Sequence, residues 1–184
     1  LKLVYSQMED GAAVLPIGKK AVEYFRRKNV TVITESYAEA ASVSIGDCYT
    51  IAKMLADGFL DGSFGKLSLG YTNFVSMLSQ TPCTLELLPL HISDSKHPPR
   101  HPILYEPGSE AVFNAIVPEY LGGVLYGALC ESTASEQAAR RTAMDSATKN
   151  ADEIIDDLNL RYNRARQGAI TQEITEIVAG AEQS

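Results

Sequence analysis

Residues 144–169 read MDSATKNADEIIDDLNLRYNRARQGA. In this stretch Met144, Thr148, Ala151, Ile155, Leu158, Tyr162, Ala165 and Ala169 recur at alternating intervals of four and three, the 3.5-residue repeat of a left-handed coiled coil. The small alanines admit a close partner helix. From Ala128 to Gln167 the chain runs 40 residues without Gly or Pro. At 1.5 Å per residue that is about 60 Å of helix, longer than a small domain is wide. The pattern predicts one continuous helix from around Ser109 to Ala179, strained at Pro118 and loosened by Gly122, Gly123 and Gly127. Thr133 with Glu136 offers a capping box, but nothing before it breaks the helix. Past Ala169 the apolar positions become Ile170, Ile174, Ile177 and Val178, so the stripe rotates toward a second partner. No second long helix occurs in these 184 residues, and the facing helix is expected to come from outside them.

The polar residues of the same segment fall into bands. Glu136 and Arg140 are spaced i, i+4; Asp152, Glu153, Asp156 and Asp157 are acidic; Arg161, Arg164 and Arg166 are basic. Solvated pairs worth a few tenths of a kcal/mol account for such residues on any exposed helix. Their segregation suits a shaft that meets differently charged surfaces at different heights.

Upstream, the first ninety residues alternate short apolar runs with amphipathic stretches, which predicts helices packed on a mostly parallel sheet. Leu3–Tyr5, Val30–Thr34 and Lys66–Phe74 read as strands, with a further run at Ala12–Ile17 and a last one at Cys83–Leu90 after Thr81-Pro82. Ala21, Val22, Tyr24 and Phe25 sit at helical spacing and end at Lys28-Asn29. Ser44 or Asp47 caps a second helix in which Ile51, Met54, Leu55 and Phe59 face the sheet, with Gly58 as a weak point and Gly62 as the stop. Ser93–Pro102 is polar, holds Pro98, Pro99 and Pro102, and marks a domain boundary. Residues 1–101 are therefore expected to form an α/β domain and residues 102–184 the long helix.

Composition excludes several classes. The chain is 45% apolar, ordinary for a globular protein. With 16 Lys and Arg against 23 Asp and Glu it carries a net charge of −7, which argues against nucleic acid and anionic lipid as partners. No run of about 18 consecutive apolar residues suggests a membrane span, and the start has no signal-peptide order. That start lacks Met, so Leu1 is read as an internal residue of the gene product. Cys48, Cys83 and Cys130 are too few and too scattered for a disulfide framework or zinc site, and fit a reducing compartment.

No catalytic constellation emerges. A sheet of this kind invites a dinucleotide, but neither Gly-x-Gly-x-x-Gly after a strand nor a Walker sequence occurs, and Gly58, Gly62 and Gly65 read as turn or helix-end residues. His91, His97 and His101 have metal-compatible spacing but sit in a Pro-rich loop without a nearby Cys, and read as solvent-exposed. Ser6, Ser63 and Ser76 lack a nucleophile-elbow setting. No cofactor and no metal are expected.

Several stretches together resemble one family. Ser135-Glu-Gln-Ala-Ala-Arg140, Thr142-Ala-Met-Asp145, Tyr162-Asn-Arg164, Ala165-Arg-Gln167 and Ile170-Thr-Gln-Glu-Ile-Thr-Glu176, through Gly180-Ala181, closely resemble the C-terminal helix of F-type ATP synthase gamma subunits. Upstream, Asn73–Gln80, Leu87–Leu90 and Leu104-Tyr-Glu-Pro107 are similar as well, so the resemblance spans most of the chain and weakens before Lys66. It implies a Rossmann-like three-layer domain that has lost nucleotide binding, plus one strand of an antiparallel coiled coil of N- and C-terminal helices. It also implies a non-catalytic rotor, the central stalk that couples proton-driven rotation to ATP synthesis or hydrolysis in an alpha3beta3 hexamer.

By that resemblance Glu136 and Arg140 face the lower region of the hexamer, while Arg166, Gln167, Thr171 and Glu173 contact its catch loops. Ile174, Ile177 and Val178 sit in an apolar bearing, and Tyr105 and Glu106 match the foot near epsilon and the c-ring. The family's N-terminal helix and first strand region are not among these residues, which leaves the seam's partner helix to be supplied. Gly168 weakens the helix by about 1 kcal/mol at a critical height, and Gln183 replaces a small or basic residue. The cysteine-bearing insertion of chloroplast forms is not visible. A bacterial type, peripheral on the cytoplasmic face of the plasma membrane without inserting, is the expectation, with the matrix side of the mitochondrial inner membrane as alternative. The rival function is a stand-alone α/β interaction domain that homodimerises through its long helix.

Overall fold

A computed structural model of the chain describes residues 1–90 and 104–182. Its elements are α1 (Lys2–Ser6), β1 (Ala13–Val14), α2 (Lys19–Arg27), β2 (Thr31–Val32), a 3-10 turn (Ala40–Ser42), α3 (Ile45–Leu60), β3 (Leu67–Phe74), β4 (Gln80–Leu88) and α4 (Ser109–Glu182). Two compact units result, Leu1–Gln137 and Ala138–Ser184.

The first unit is mixed α/β. Among the described residues its strands form two ladders instead of one mostly parallel sheet: β1 pairs parallel with β2, and β3 pairs antiparallel with β4 in the register Gly70↔Thr84 and Thr72↔Pro82. Pro82 lies inside β4, not ahead of it. Opposite it, Thr72 turns its N–H and C=O away to the hydroxyls of Ser132 and Ser135, so the ladder does not call on the N–H that proline lacks.

Helices cover both faces. On one, Cys48, Ile51, Ala52, Leu55 and Ala56 of α3 join Leu87 and Leu88 of β4 and Leu121 and Leu125 of α4 in the buried core, with Leu15, Ile17, Leu67 and Leu69 packed against it. On the other face Val4 of α1 lies directly against Gly70, and the Tyr5 ring meets Tyr24 of α2 edge-on with centroids 6.3 Å apart. Three layers are thus present. Met54 departs from its expected place: it is exposed, and Cys48, Ala52 and Ala56 take the inward positions.

Local chemistry explains where the helices begin and end. Ser44 caps α3 reciprocally, its Oγ accepting from the Asp47 N–H at 3.2 Å while its own N–H donates to the Asp47 carboxylate at 2.8 Å. Gly62, at φ +74°, follows the last turn in a conformation that side chains resist. Leu3–Tyr5 is helical, not a strand: Tyr5 N–H donates to Leu1 C=O at 2.9 Å. No strand among the described residues pairs with it, so the backbone satisfies itself locally.

In α4, Pro118 is accommodated within the helix. Gly122 has a packing role, since its missing Cβ lets the Tyr49 ring of α3 lie against the helix. Gly123 and Gly127 have open space instead.

Candidate functional site

The candidate site is the surface of the second unit, which among the described residues consists of α4 alone. Every residue from Ala143 to Val178 is exposed. The seam residues Met144, Ile155, Leu158 and Tyr162 are 54–66% exposed, and Ile170, Ile174, Ile177 and Val178 are 48–71% exposed. Large apolar side chains at this exposure, repeated over more than seven helical turns, mark an interaction surface. Thr148, Ala151, Ala165 and Ala169 complete the seam on the same helix. At about 100° per residue the Ile170–Val178 stripe is turned by roughly a quarter to a third of a circle from the seam.

Around this apolar track the polar side chains are held by their own helix. Asp157 pairs with Arg161 at 2.9 Å and Asp145 with Arg141 at 3.9 Å. The Thr171 hydroxyl donates to Gln167 C=O at 2.8 Å, and Gln172 donates to Glu176 at 2.9 Å. Gln167 and Thr171 are one turn apart on one face, while Arg166 and Glu173, two turns apart, share another. Glu136 and Arg140 each take part in an interaction and lie in different units. Tyr105 and Glu106 precede α4, with the Tyr105 ring tilted against Phe113 at 6.3 Å.

Two features escape the sequence. Phe113, Ile116 and Tyr120, at intervals of three and four, form an exposed stripe on the first turns of α4, and Val75, Met77 and Leu78 expose an apolar hairpin tip. The intervals of the first were visible, but periodicity does not say whether a stripe faces core or solvent. α4 also holds an 18-residue window of mean hydropathy 1.2, enough by length and composition to cross a membrane. Its apolar residues include Leu121, Leu125 and Ala128, which are buried within the first unit.

Among the described residues no group of three His, Cys, Asp or Glu is placed to hold a metal ion. His91, His97, His101 and Gln183 lie outside the described residues. Burial pushes the Cys48 thiol up, away from the reactive thiolate. The phenols of Tyr71 and Tyr126 are pushed up by hydrogen bonds with Cys83 and Cys130.

The architecture is that of a small α/β unit followed by a long helix that exposes an apolar track. The model of the family described as ATP synthase matches residues 2–183, and the chain belongs to that family. It is 47% identical over 169 residues to the ATP synthase gamma chain of Ruminococcus albus, which covers 90% of this chain and 58% of that protein. The gamma chain of Lachnoclostridium phytofermentans is 39% identical, covering 98% and 66%, and that of Clostridium perfringens 40%, covering 96% and 62%. The chain thus spans about three fifths of the length of the curated relatives it matches. Among solved structures, a chain of the Tetrahymena thermophila mitochondrial ATP synthase central stalk and c-ring shares the fold, with TM-score 0.55 and 23% identity over 80% of this chain and 65% of that one.

Proposed function

We propose that this chain is the rotor-stalk portion of an ATP synthase gamma subunit, a torque transmitter with no catalytic site of its own. One observation carries this beyond family membership: the exposed apolar track on α4 changes face where the seam ends at Ala169. A coiled-coil partner accounts for the seam, and a separate apolar sleeve accounts for the stripe. In this reading an antiparallel helix from outside the 184 residues covers Met144–Ala169. Ile174, Ile177 and Val178 run in the sleeve of the alpha3beta3 hexamer, and Glu136, Arg140, Arg166, Gln167, Thr171 and Glu173 meet its alpha and beta subunits. Tyr105 and Glu106 form the foot toward epsilon and the c-ring. The domain boundary falls in the Pro-rich stretch near residues 101 and 102. The assembly sits on the cytoplasmic face of a bacterial membrane.

The physics is differential contact. As the shaft turns, its asymmetric faces meet each beta subunit in succession and shift that site between open and closed populations. Gln167 and Thr171 present polar groups on one face, where each contact made in only one state biases the equilibrium by its own free energy. In a full-length gamma subunit assembled with alpha and beta, replacing Gln167 and Thr171 together by Ala is expected to lower ATP turnover by roughly fivefold, the equivalent of about 1 kcal/mol of hydrogen bonding. Steady-state hydrolysis by the assembled complex reads this. Unchanged turnover contradicts the assigned contacts.

A further inference from the structure

The seam on α4 matches itself when read backwards. A two-fold axis midway between Ile155 and Leu158 brings a second copy of the helix in from the opposite direction. Ile155 then faces Leu158 of the other copy, Ala151 faces Tyr162, Thr148 faces Ala165 and Met144 faces Ala169. Every seam position finds a seam position. The bulky Tyr162 and Met144 each meet an alanine, and the two residues of middle size meet at the centre, which is how facing layers interdigitate without voids. The matched segment spans about 39 Å, close to four heptads.

Charge follows the same symmetry. Counted from this seam, Asp145, Asp152, Asn159 and Arg166 flank it on one side, and Ile154 and Arg161 on the other. In the antiparallel pairing Asp145 lies beside Arg166 of the other copy, twice over by symmetry. Among the described residues Arg166 has no ion-pair partner, and Asp145 is held only by Arg141 at 3.9 Å. On the other flank Ile154, 60% exposed, lies beside Arg161 of the other copy, whose aliphatic stem covers it while the guanidinium stays in water.

The alternatives are poorer on the same criteria. A parallel pair in register stacks Tyr162 on Tyr162 and Ala151 on Ala151, and brings Arg161 beside Arg166. Sliding the antiparallel pair by one heptad either sets Asp152 against Asp152 or leaves Met144 and Thr148 uncovered. Past Ala169 the apolar residues turn to another face, which ends the matched segment.

We propose that the free chain pairs with a second copy of itself through the Met144–Ala169 face of α4, antiparallel and in this register. The pairing shields the apolar track of a chain outside any assembly. In the rotor reading a helix of different sequence takes the same seam, so self-pairing and assembly compete. The proposal does not rest on that reading, because it concerns two copies of this chain alone, and a free chain that stays monomeric would sink self-pairing and leave the rotor untouched.

Sedimentation equilibrium on the 184-residue chain, from about 1 to about 100 µM, reads self-association. Asp145 and Arg166 are 21 residues apart in sequence, about 32 Å along one helix, so coupling between them acts between chains. Both are exposed, and neither substitution touches the core. The parent chain is expected to form a dimer. Asp145→Arg and Arg166→Asp are each expected to raise its dissociation constant by about tenfold, since two attractive pairs become repulsive. The double reversal, Asp145→Arg with Arg166→Asp, is expected to return the constant to within about threefold of the parent. A monomer across the range overturns the proposal and assigns the seam to another polypeptide. A dimer that ignores the single reversals, or that the double reversal fails to restore, overturns it as well and places the contact on another face or in another register.

Discussion

At Gly122 a Cβ would collide with the Tyr49 ring, whereas one position further on, at Gly123, it would meet nothing within 4 Å. The two glycines therefore respond oppositely to the same change. Gly123→Ala is expected to stabilise the chain by about 1 kcal/mol through helix propensity. Gly122→Ala forces the ring away, and overpacking at a core contact costs about 1–3 kcal/mol. Thermal unfolding of both variants checks this: the midpoint rises for one and falls for the other, and a shift in the same direction for both contradicts the packing role of Gly122. From sequence alone the two are equivalent interruptions of a helical pattern, because the contact that separates them comes from α3, more than seventy residues earlier. Met54 illustrates the same limit. It fits the helical spacing, but the helix turns Cys48, Ala52 and Ala56 inward and leaves Met54 in solvent.

Among the elements, those with their own punctuation are legible. α3 carries its start in Ser44 and Asp47 and its stop in Gly62, and α2 ends at Lys28-Asn29, where Asn29 takes φ +54°. Leu3–Tyr5 has no such marks, and three apolar residues do not distinguish a strand from a helical turn. The pairing of strands into two ladders is also hidden, since it depends on which edges meet across the chain. The capping box gives α3 a measurable pH signature. Hydrogen bonds from Ser44 hold the Asp47 carboxyl below its ordinary value of 3.8. Its stabilising contribution is complete above that value and is lost as pH falls through the lower value of the folded state. Ser44→Ala is expected to cost about 1 kcal/mol near neutral pH. As pH falls below the ordinary carboxylate value that cost shrinks, because the box dissolves in the parent protein too. Urea unfolding across this range reads it, and a cost that does not change with pH contradicts the reciprocal cap.

Taken whole, the molecule pairs an α/β unit that buries an ordinary core with a helical unit that buries almost nothing of its own. In the proposed rotor reading, a helix that exposes apolar side chains from Met144 to Val178 gains most of its stability from a partner. Both the seam and its change of face are legible in sequence because helical spacing alone sets them. What covers them is not legible, because helical spacing says nothing of the surface opposite. Native mass spectrometry of complexes isolated from the source cells tests the rotor account most directly, since one spectrum gives both stoichiometry and companions. The account predicts one copy of a polypeptide containing this sequence with three copies each of two larger nucleotide-binding subunits. A 20.0 kDa chain found only as a homodimer would contradict it and make the long helix a dimerisation arm.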